Sequence, residues 1–268
     1  MSFVGGVGYS NIDLIYSGLD RLPDKGEEIF ARGFSMQFGG GIPATMINLS
    51  RLGVESRIIT FAGHDLFSEF VKKTLNSYPV KTVNLYKGNK MPVVLSSTLL
   101  YCGDRSFISY TDGMDLNDAV MDEVYENLKG AYVVDMHVGF LDVYKRLKKD
   151  GCIQIFDTGW EDDLTLEKYK DYLEIADYYI PNQKEAMKIT GTSSVEEAAD
   201  ILSEFFSDVT IKMDKEGCLL KNKDGIKIIS SVQNVKAIDA TGAGDAFMSG
   251  FIYCLLYTSD AADDLIGV

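Results

Sequence analysis

The chain carries, near its C-terminal end, the stretch Asp239-Ala240-Thr241-Gly242-Ala243-Gly244-Asp245, and an apolar helical pattern follows it directly. A glycine-rich turn that opens into a helix leaves backbone N–H groups unpaired at the positive end of the helix, where they bind anions. Glycine at positions 242 and 244 lets a phosphate approach the backbone closely. Asp245 lies on the same turn, where its carboxylate is placed to accept a proton from an attacking alcohol. The stretch therefore predicts transfer of a phosphoryl group to a hydroxyl.

A structural interpretation of this turn stays open from these residues alone. Asp245 would then cap the helix, and the two glycines would only form a tight turn. Other nucleotide-binding motifs are missing, because the sequence has no GxxxxGK[ST] pattern and Gly5-Gly6-Val7-Gly8 does not continue as GxGxxG. The sequence thus indicates neither a P-loop nor a dinucleotide-binding turn.

Composition restricts the class of protein. The 268 residues are 46% hydrophobic and 25% charged, with 25 Gly and 5 Pro, as expected for a domain that buries a substantial core. The 26 basic and 40 acidic residues give a net charge of −14, which opposes binding to nucleic acid or to an anionic membrane. No apolar run approaches the roughly 18 residues that span a bilayer, and the N-terminus lacks signal-peptide features. We expect a cytoplasmic protein without nucleic-acid or membrane partners.

Short β-rich runs alternate with helical patterns along most of the chain, which predicts an α/β fold of parallel strands joined by crossover helices. The predicted strands are Ser2–Gly5, Arg57–Phe61, Tyr132–Met136, Ile153–Phe156, Tyr178–Ile180, Val209–Lys212 and Cys218–Lys221. The predicted helices, whose apolar spacing suits packing on a sheet, are Pro43–Leu52, Leu66–Leu75, Leu141–Lys149, Leu166–Ala176, Gln183–Thr190 and Val195–Phe206.

Two segments, Ile12–Phe38 and Pro92–Tyr110, break this alternation because they carry strand-like residues without an intervening helix. They predict a small sheet that projects from the main domain. Ligands of open α/β folds bind at the carboxyl ends of the strands, so this sheet is placed to cover the crevice. An edge extension or a dimer contact is the alternative.

The string Asp239-x-Thr241-Gly242-Ala243-Gly244-Asp245 closely resembles the signature of the ribokinase-like (PfkB) carbohydrate kinase family. The resemblance implies a ribokinase-like three-layer α/β/α sandwich with a small β-sheet lid. It also implies an enzyme that uses ATP and Mg²⁺ to phosphorylate a hydroxyl of a small sugar or sugar acid. Asp245 would be the catalytic base, and the amides of Gly242, Ala243 and Gly244 would form the anion hole. Asp239 and Thr241 match positions that shape a monovalent-cation site in many members, which adds K⁺ as an implied cofactor.

Motifs near the N-terminus extend the resemblance to the substrate side of the family's site. Asn11 and Asp13 match residues that would bind sugar hydroxyls, and one carboxylate can accept two hydroxyl donors. The run Gly39-Gly40-Gly41 is similar to the glycine signature that lets the backbone lie against the substrate. An exposed Asx turn is the alternative for Asn11 and Asp13. Ala44 stands where most members carry a substrate-binding Asn, so the resemblance does not identify the sugar.

Two later motifs are similar to the nucleotide side of the family's site. Asn182 and Glu185 resemble the Asn-x-x-Glu motif, in which the Asn lies by the phosphates and the Glu organises the Mg²⁺ shell. Mg²⁺ keeps several waters, so one carboxylate acting through water suits it, whereas a plain capping box is the alternative. Lys212 and Gly217 match the strand-turn-strand that approaches the nucleotide, and there Asp214 replaces the usual glycine.

The resemblance assigns residues 1–254 to the sugar kinase domain, with lid segments at about 12–38 and 92–110. Residues 255–268 resemble the translation of a sequencing adapter and are interpreted as a non-native tail, with an acidic helical terminus as the alternative. Two other functions stay open, namely a nucleoside kinase of the same superfamily and a non-catalytic sugar-binding homologue. The expected partners are a small sugar and, through the lid sheet, a second copy of the chain.

Overall fold

A parallel β-sheet lies at the centre of the fold. The computed structural model describes residues 3–102, 104–232 and 242–264. The strands are β1 (Phe3–Val7), β2 (Asn11–Ser17), β3 (Gly33–Gly39), β4 (Ser56–Thr60), β5 (Lys81–Asn84), β6 (Val94–Tyr101), β7 (Asp104–Tyr110), β8 (Ala131–Met136), β9 (Ile153–Phe156), β10 (Tyr178–Tyr179), β11 (Val209–Lys212), β12 (Cys218–Asn222) and β13 (Gly225–Ile229). The helices are α1 (Gly41–Arg51), α2 (Leu66–Leu75), α3 (Asp118–Leu128), α4 (Leu141–Lys149), α5 (Leu166–Ile175), α6 (Gln183–Thr190), α7 (Val195–Leu202) and α8 (Ala243–Asp264).

The central sheet pairs its strands in the order β10-β9-β8-β1-β4-β5, and every pairing is parallel. Successive side chains along a strand point to opposite faces of the sheet. Pairs of neighbours such as Ile58-Ile59 and Val133-Val134 are fully buried, as parallel strands that are covered on both faces require. The predicted α/β arrangement is confirmed.

Helices cover both faces of this sheet, and each face has its own apolar core. One core joins α1, α2 and α8 to the sheet through Met46, Val71 and Ile252. The other core packs the five helices from α3 through α7 against the opposite face. Its members include Val124, Tyr144, Leu173, Ile189 and Leu202. Each such side chain stabilises the fold by roughly 1.5–3 kcal/mol on burial. The layers confirm the predicted three-layer α/β/α sandwich.

A second sheet forms from the two segments that lack an intervening helix. Its order is β3-β2-β6-β7, with β2 parallel to β6 and the other two pairings antiparallel. Because side chains alternate between faces, this register places Asn11 and Asp13 on one face and Phe34, Met36 and Ile108 on the other. The sequence predicts a small sheet from these two segments, and we refer to it as the lid sheet.

The strands β11 and β12 are present, but β11 meets the segment after β10 through an isolated parallel bridge between Asn182 and Lys212 rather than through a ladder. β11 pairs antiparallel with β12, and β12 with β13, in a separate three-stranded sheet. A tight turn, in which the Met213 N–H donates to the Gly217 carbonyl oxygen (2.8 Å), reverses the chain between β11 and β12. Such a short connection can join antiparallel strands only, since a parallel crossover needs a dozen or more residues.

Three elements were not predicted from the sequence. The strands β5 and β13 carry mainly exposed or half-exposed side chains, so they lack the apolar run that marks a buried strand. Helix α3 does carry a signal, because the Asn117 side chain accepts a hydrogen bond from the Val120 N–H and because Val124 and Leu128 are buried four residues apart.

Helix α8 packs on α1 and buries Met248 and Ile252. It runs without a break from Ala243 to Asp264, past the predicted boundary at residue 254. Across the described parts of the chain, no helix is both long and apolar enough to cross a membrane.

Replacing Gly217 by Ala is expected to destabilise the fold strongly. Gly217 has a φ of 104°, and an added Cβ would lie 1.9 Å from the Ile229 carbonyl oxygen, so a clash adds to the backbone strain. The matched control is Gly225→Ala, where φ is 117° but no described atom lies within 4 Å of the added Cβ. In urea unfolding, we expect a loss of about 1–2 kcal/mol for the control and of more than about 3 kcal/mol for Gly217→Ala. Equal losses would show that the clash is relieved at no cost.

Candidate active site

Charged side chains meet at the carboxyl ends of three strands, two of the central sheet and one, β11, of the three-stranded sheet. Asp135 lies near the end of β8, Asp157 follows β9 directly, and Lys212 is the last residue of β11. The first turn of α8, with Asp245, lies beside them, since the charges of Asp245 and Lys212 both act on Asp157. This is the edge at which open α/β sheets bind ligands.

The glycine turn forms the N-terminus of α8, as its sequence predicts. Gly242 has a φ of 77°, in the left-handed region that favours glycine, and its carbonyl oxygen accepts the Ala246 N–H (2.9 Å). The N–H groups of Ala243, Gly244 and Asp245 donate no hydrogen bond to the described residues, and residues 242–244 are exposed. As far as the described residues go, the turn therefore leaves these amides available to a ligand.

The Asp245 carboxylate lies against the glycine run of the N-terminal half. Its Oδ1 is 3.4 Å from the point that a Cβ on Gly41 would occupy. Ser249 lies between the two helices, and its one hydroxyl hydrogen is shared between the carbonyl oxygen of Asp245 in its own helix (2.6 Å) and that of Thr45 in α1 (3.3 Å). A Cβ at Gly41 would therefore stand in van der Waals contact with the carboxylate.

Asn11 and Asp13 come together at the end of the lid sheet. The Asn11 Nδ2 donates to Asp13 Oδ1 (3.0 Å), and the Ser96 hydroxyl donates to Asn11 Oδ1 (3.3 Å). A Cβ on Gly39 would lie 2.9 Å from Asp13 Oδ2, so a side chain there would collide with the carboxylate. Sequence reasoning missed Ser96, since it lies on β6, far from Asn11 in the chain.

The middle glycine of the run has a different role from its neighbours. Gly40 precedes α1 with a φ of 106°, and a Cβ there would lie 2.8 Å from the Tyr9 carbonyl oxygen. Both the conformation and the close backbone contact require glycine. The run therefore brings the start of α1 directly against Tyr9, in the connection between β1 and β2.

Asn182 and Glu185 form the capping box that was the structural alternative for this motif. The Asn182 Oδ1 accepts the N–H groups of Lys184 (2.9 Å) and Glu185 (3.0 Å), and Glu185 Oε2 accepts the Asn182 N–H (2.9 Å). Glu185 is only 6% exposed. Burial, followed by the charge of Asp157, raises the pKa of Glu185 to about 7.

Carboxyl groups with raised pKa values surround the Lys212 ammonium. Burial raises the pKa of Asp245 and of Asp157 to about 6, and it raises that of Asp135 well above its ordinary range. The positive charge of Lys212 opposes each of these shifts. Groups with perturbed pKa values that share one crevice are typical of active sites. Sequence reasoning assigned no role to Asp135 or Asp157, although Asp135 lies within the predicted strand Tyr132–Met136 and Asp157 directly follows the predicted strand Ile153–Phe156.

The Lys212 ammonium joins two parts of the site. Its Nζ lies 2.5 Å from Asp157 Oδ2 and 3.6 Å from the point that a Cβ on Gly244 would occupy. The backbone of Lys212 is held to the motif of α6, because its N–H donates to the Pro181 carbonyl oxygen (2.9 Å). The structure thus places Lys212 beside the turn of α8.

The turn that contains Asp214 and Gly217 adopts left-handed backbone at both residues. Asp214 has a φ of 50° and Gly217 a φ of 104°. Asp tolerates this conformation better than most side chains, and Asp214 Oδ2 accepts a hydrogen bond from Gln183 Nε2 (2.9 Å). Asp214 therefore keeps the glycine-like turn. Asp239 and Thr241, the candidate monovalent-cation residues, lie outside the described residues.

Comparison with known proteins identifies the family. The family model for "pfkB family carbohydrate kinase" matches residues 1–264 of this chain. The ribokinase of Lactococcus lactis is 22% identical over 271 residues, which cover 99% of this chain and 87% of that protein. The 5-dehydro-2-deoxygluconokinase of Clostridium perfringens is 26% identical over 265 residues, which cover 88% of this chain and 77% of that protein.

Solved structures show the same fold. Arabidopsis thaliana ribokinase in complex with ribose and ATP superposes with a TM-score of 0.78 at 22% identity, over 96% of this chain and 87% of that one. The predicted family, fold class and class of reaction are thus confirmed. This chain belongs to the PfkB family of carbohydrate kinases, which are phosphotransferases with an alcohol group as acceptor.

Proposed function

We propose that this protein is an ATP-dependent kinase of a small sugar or sugar acid, with Asp245 as the catalytic base. The observation that carries the proposal is the position of the Asp245 carboxylate, which lies against Gly41 on an exposed helix turn whose first amides donate to none of the described residues. A base and an anion-binding group on one turn are what transfer of a phosphoryl group to an alcohol needs.

The transfer can be written with these groups. The alcohol oxygen attacks the γ-phosphorus of ATP while its proton passes to the Asp245 carboxylate. The new O–P bond forms as the bond between the γ-phosphorus and the β,γ-bridging oxygen breaks, and ADP leaves with that electron pair. The amides of Gly242, Ala243 and Gly244 donate hydrogen bonds to the oxygens on which charge accumulates.

The sugar would lie between the lid sheet and the glycine run. The Asp13 carboxylate would accept hydroxyl hydrogens, and the Asn11 side chain would donate or accept another hydrogen bond. Gly39, Gly40 and Gly41 would leave the space that the sugar ring occupies. The curated relatives, a ribokinase and a 5-dehydro-2-deoxygluconokinase, support a small sugar or a sugar acid as the substrate class.

The nucleotide phosphates would lie on the other side of the α8 turn, near Asn182, Lys212 and Gly217. The described residues contain no group of three or more His, Cys, Asp or Glu side chains that could hold a metal. Mg²⁺ fits such a site, because it commonly takes one or two carboxylates together with waters and substrate phosphates. Glu185 would supply that carboxylate, and the ion would neutralise phosphate charge when bound. Asp239 and Thr241 remain the candidate residues for a monovalent cation such as K⁺.

Asp245→Asn is expected to lower kcat by about 10²–10⁴-fold, because it removes the base but keeps the shape of the side chain. Sugar affinity, measured by calorimetry, should change by less than about threefold. Asp162→Asn, an exposed carboxylate before α5, is the control and should keep full activity. Unchanged turnover in Asp245→Asn would reject the assigned base.

The same variant is expected to stabilise the fold at neutral pH. Burial raises the pKa of Asp245 from 3.8 to about 6, so the proton that the folded carboxyl retains contributes stability at low pH that is lost as pH rises through 6. Asp245→Asn should therefore raise the free energy of unfolding by about 1–3 kcal/mol at pH 7.5 and by clearly less at pH 4.5. A gain that does not vary with pH would contradict the raised pKa.

A panel of sugars, sugar acids and nucleosides, tested by release of ADP, separates the competing functions. ADP release with sugars or sugar acids supports the proposal, and release with nucleosides alone would favour a nucleoside kinase. Thermal stabilisation by a sugar without release of ADP would favour a non-catalytic sugar-binding protein.

Two copies of the chain would also pair through their lid sheets to form a homodimer. Its outer face exposes Phe34 (61%) and Ile108 (71%), and clustered apolar side chains of this kind mark contact surfaces. Ile108→Glu should shift sedimentation from dimer to monomer, whereas Ile228→Glu, at an exposed isoleucine of β13, should not. A wild-type protein that sediments as a monomer at all concentrations would exclude this contact.

A further inference from the structure

The ammonium of Lys212 is held in one direction rather than left to move in solvent. Its side chain is 12% exposed, although lysine side chains usually carry their charge into water. The backbone hydrogen bond to Pro181 anchors one end, and the ion pair with Asp157 (2.5 Å) holds the other. The charge therefore stays at the end of β11, facing the first turn of α8.

This position coincides with the anion-binding part of the site. The Nζ lies 3.6 Å from the point that a Cβ on Gly244 would occupy. The amides of Ala243 and Gly244, which donate to none of the described residues, lie on the same turn. An anion bound to those amides would lie within reach of the ammonium, so the two kinds of donor would act on the same oxygens.

The ion pair does not satisfy Asp157 completely. Asp157 Oδ2 accepts the ammonium, whereas Asp157 Oδ1 is buried and has no hydrogen-bond partner among the described residues. The carboxylate thus holds the ammonium through one oxygen only, and its other oxygen does not compete for Lys212.

The charges around the crevice also indicate that Lys212 acts on an incoming anion. Asp135, Glu185 and Asp245 surround the pair, from β8, α6 and α8 respectively, and Lys212 is the cation that acts on all of them. A phosphoryl group brings further negative charge into this acidic surrounding. A fixed positive charge beside the transfer site offsets that repulsion most in the transition state, when charge moves onto the phosphoryl oxygens.

We propose that Lys212 is a catalytic residue that pairs with the transferring phosphoryl group, and that Asp157 is the positioning residue that holds its ammonium beside the α8 turn beforehand. The proposal rests on the proposed kinase function and adds to it a third group at the reacting phosphorus, beside Asp245 and the amides. Lys212 keeps its proton throughout, so the balance of the transfer step is unchanged.

The variants Lys212→Met, Lys212→Arg, Asp157→Asn and the double variant Lys212→Met/Asp157→Asn test this assignment in the full chain. We expect Lys212→Met to lower kcat by about 10²–10³-fold and Lys212→Arg to retain activity within about tenfold. Asp157→Asn should lower kcat by about tenfold with little change in the KM for the sugar. The double variant should lose no more than Lys212→Met, because Asp157 acts through Lys212. Losses that multiply in the double variant would overturn the positioning role.

A binding measurement makes the test independent of turnover. The matched control is Lys221→Met, which breaks the Lys221–Asp200 ion pair on β12, away from the turn. Thermal unfolding with Mg²⁺ and a non-hydrolysable ATP analogue should show full stabilisation of wild type and Lys221→Met and a much smaller shift for Lys212→Met. Equal shifts in all three would overturn the role of Lys212. Absence of ADP release by the wild type would instead contradict the proposed kinase function.

If Lys212→Met leaves Asp157 as an unpaired charge and fails to fold, the double variant supplies the neutral pair, because it removes both charges together. Sugar-induced stabilisation of the double variant would show that it is folded. A folded double variant with kcat within about twofold of wild type would reject the catalytic role of Lys212 directly.

Discussion

The packing of α8 on α1 is the constraint on which the site depends. It places the Asp245 carboxylate beside Gly41, and the Ser249 hydroxyl joins the two helices through the carbonyl oxygens of Asp245 and Thr45. Both helices lie on the same face of the central sheet and share its apolar core. Because the sheet is close-packed, small displacements of either helix are resisted. The rigid core thus holds the groups of the site at fixed distances from one another.

The crevice is electrostatically unfavourable in the absence of ligand. Asp245, Asp157 and Glu185 all have raised pKa values, since they are withdrawn from water and stand near one another. Natural proteins accept such a loss of stability where chemistry requires it. Here the acidic groups leave one fixed ammonium and a row of backbone amides as the positive part of the site, which orients the crevice toward an anionic group that reacts with an alcohol.

Local signals accounted for most of the fold and for part of the site. The buried strands, the glycine turn and the capping box of Asn182 and Glu185 each depend on neighbours within a few residues, so they can be predicted from the sequence. The edge strands β5 and β13 were not predicted because their side chains stay largely exposed. Two contacts could not be predicted because their members lie far apart in the chain. Asp157 and Lys212 are 55 residues apart, and Asn11 and Ser96 are 85 residues apart.

By itself, the sequence determined the alternation of strands and helices, the turn that ends in Asp245, and the glycine positions that the backbone requires. Those features follow from chain stereochemistry and from the spacing of apolar residues. Only the tertiary structure decided which carboxylates gather around Lys212, how β11 and β12 leave the parallel sheet, and which glycine faces Asp245. The reason is that charge interactions and close contacts depend on distances between residues far apart in the chain, and the packing of the layers sets those distances.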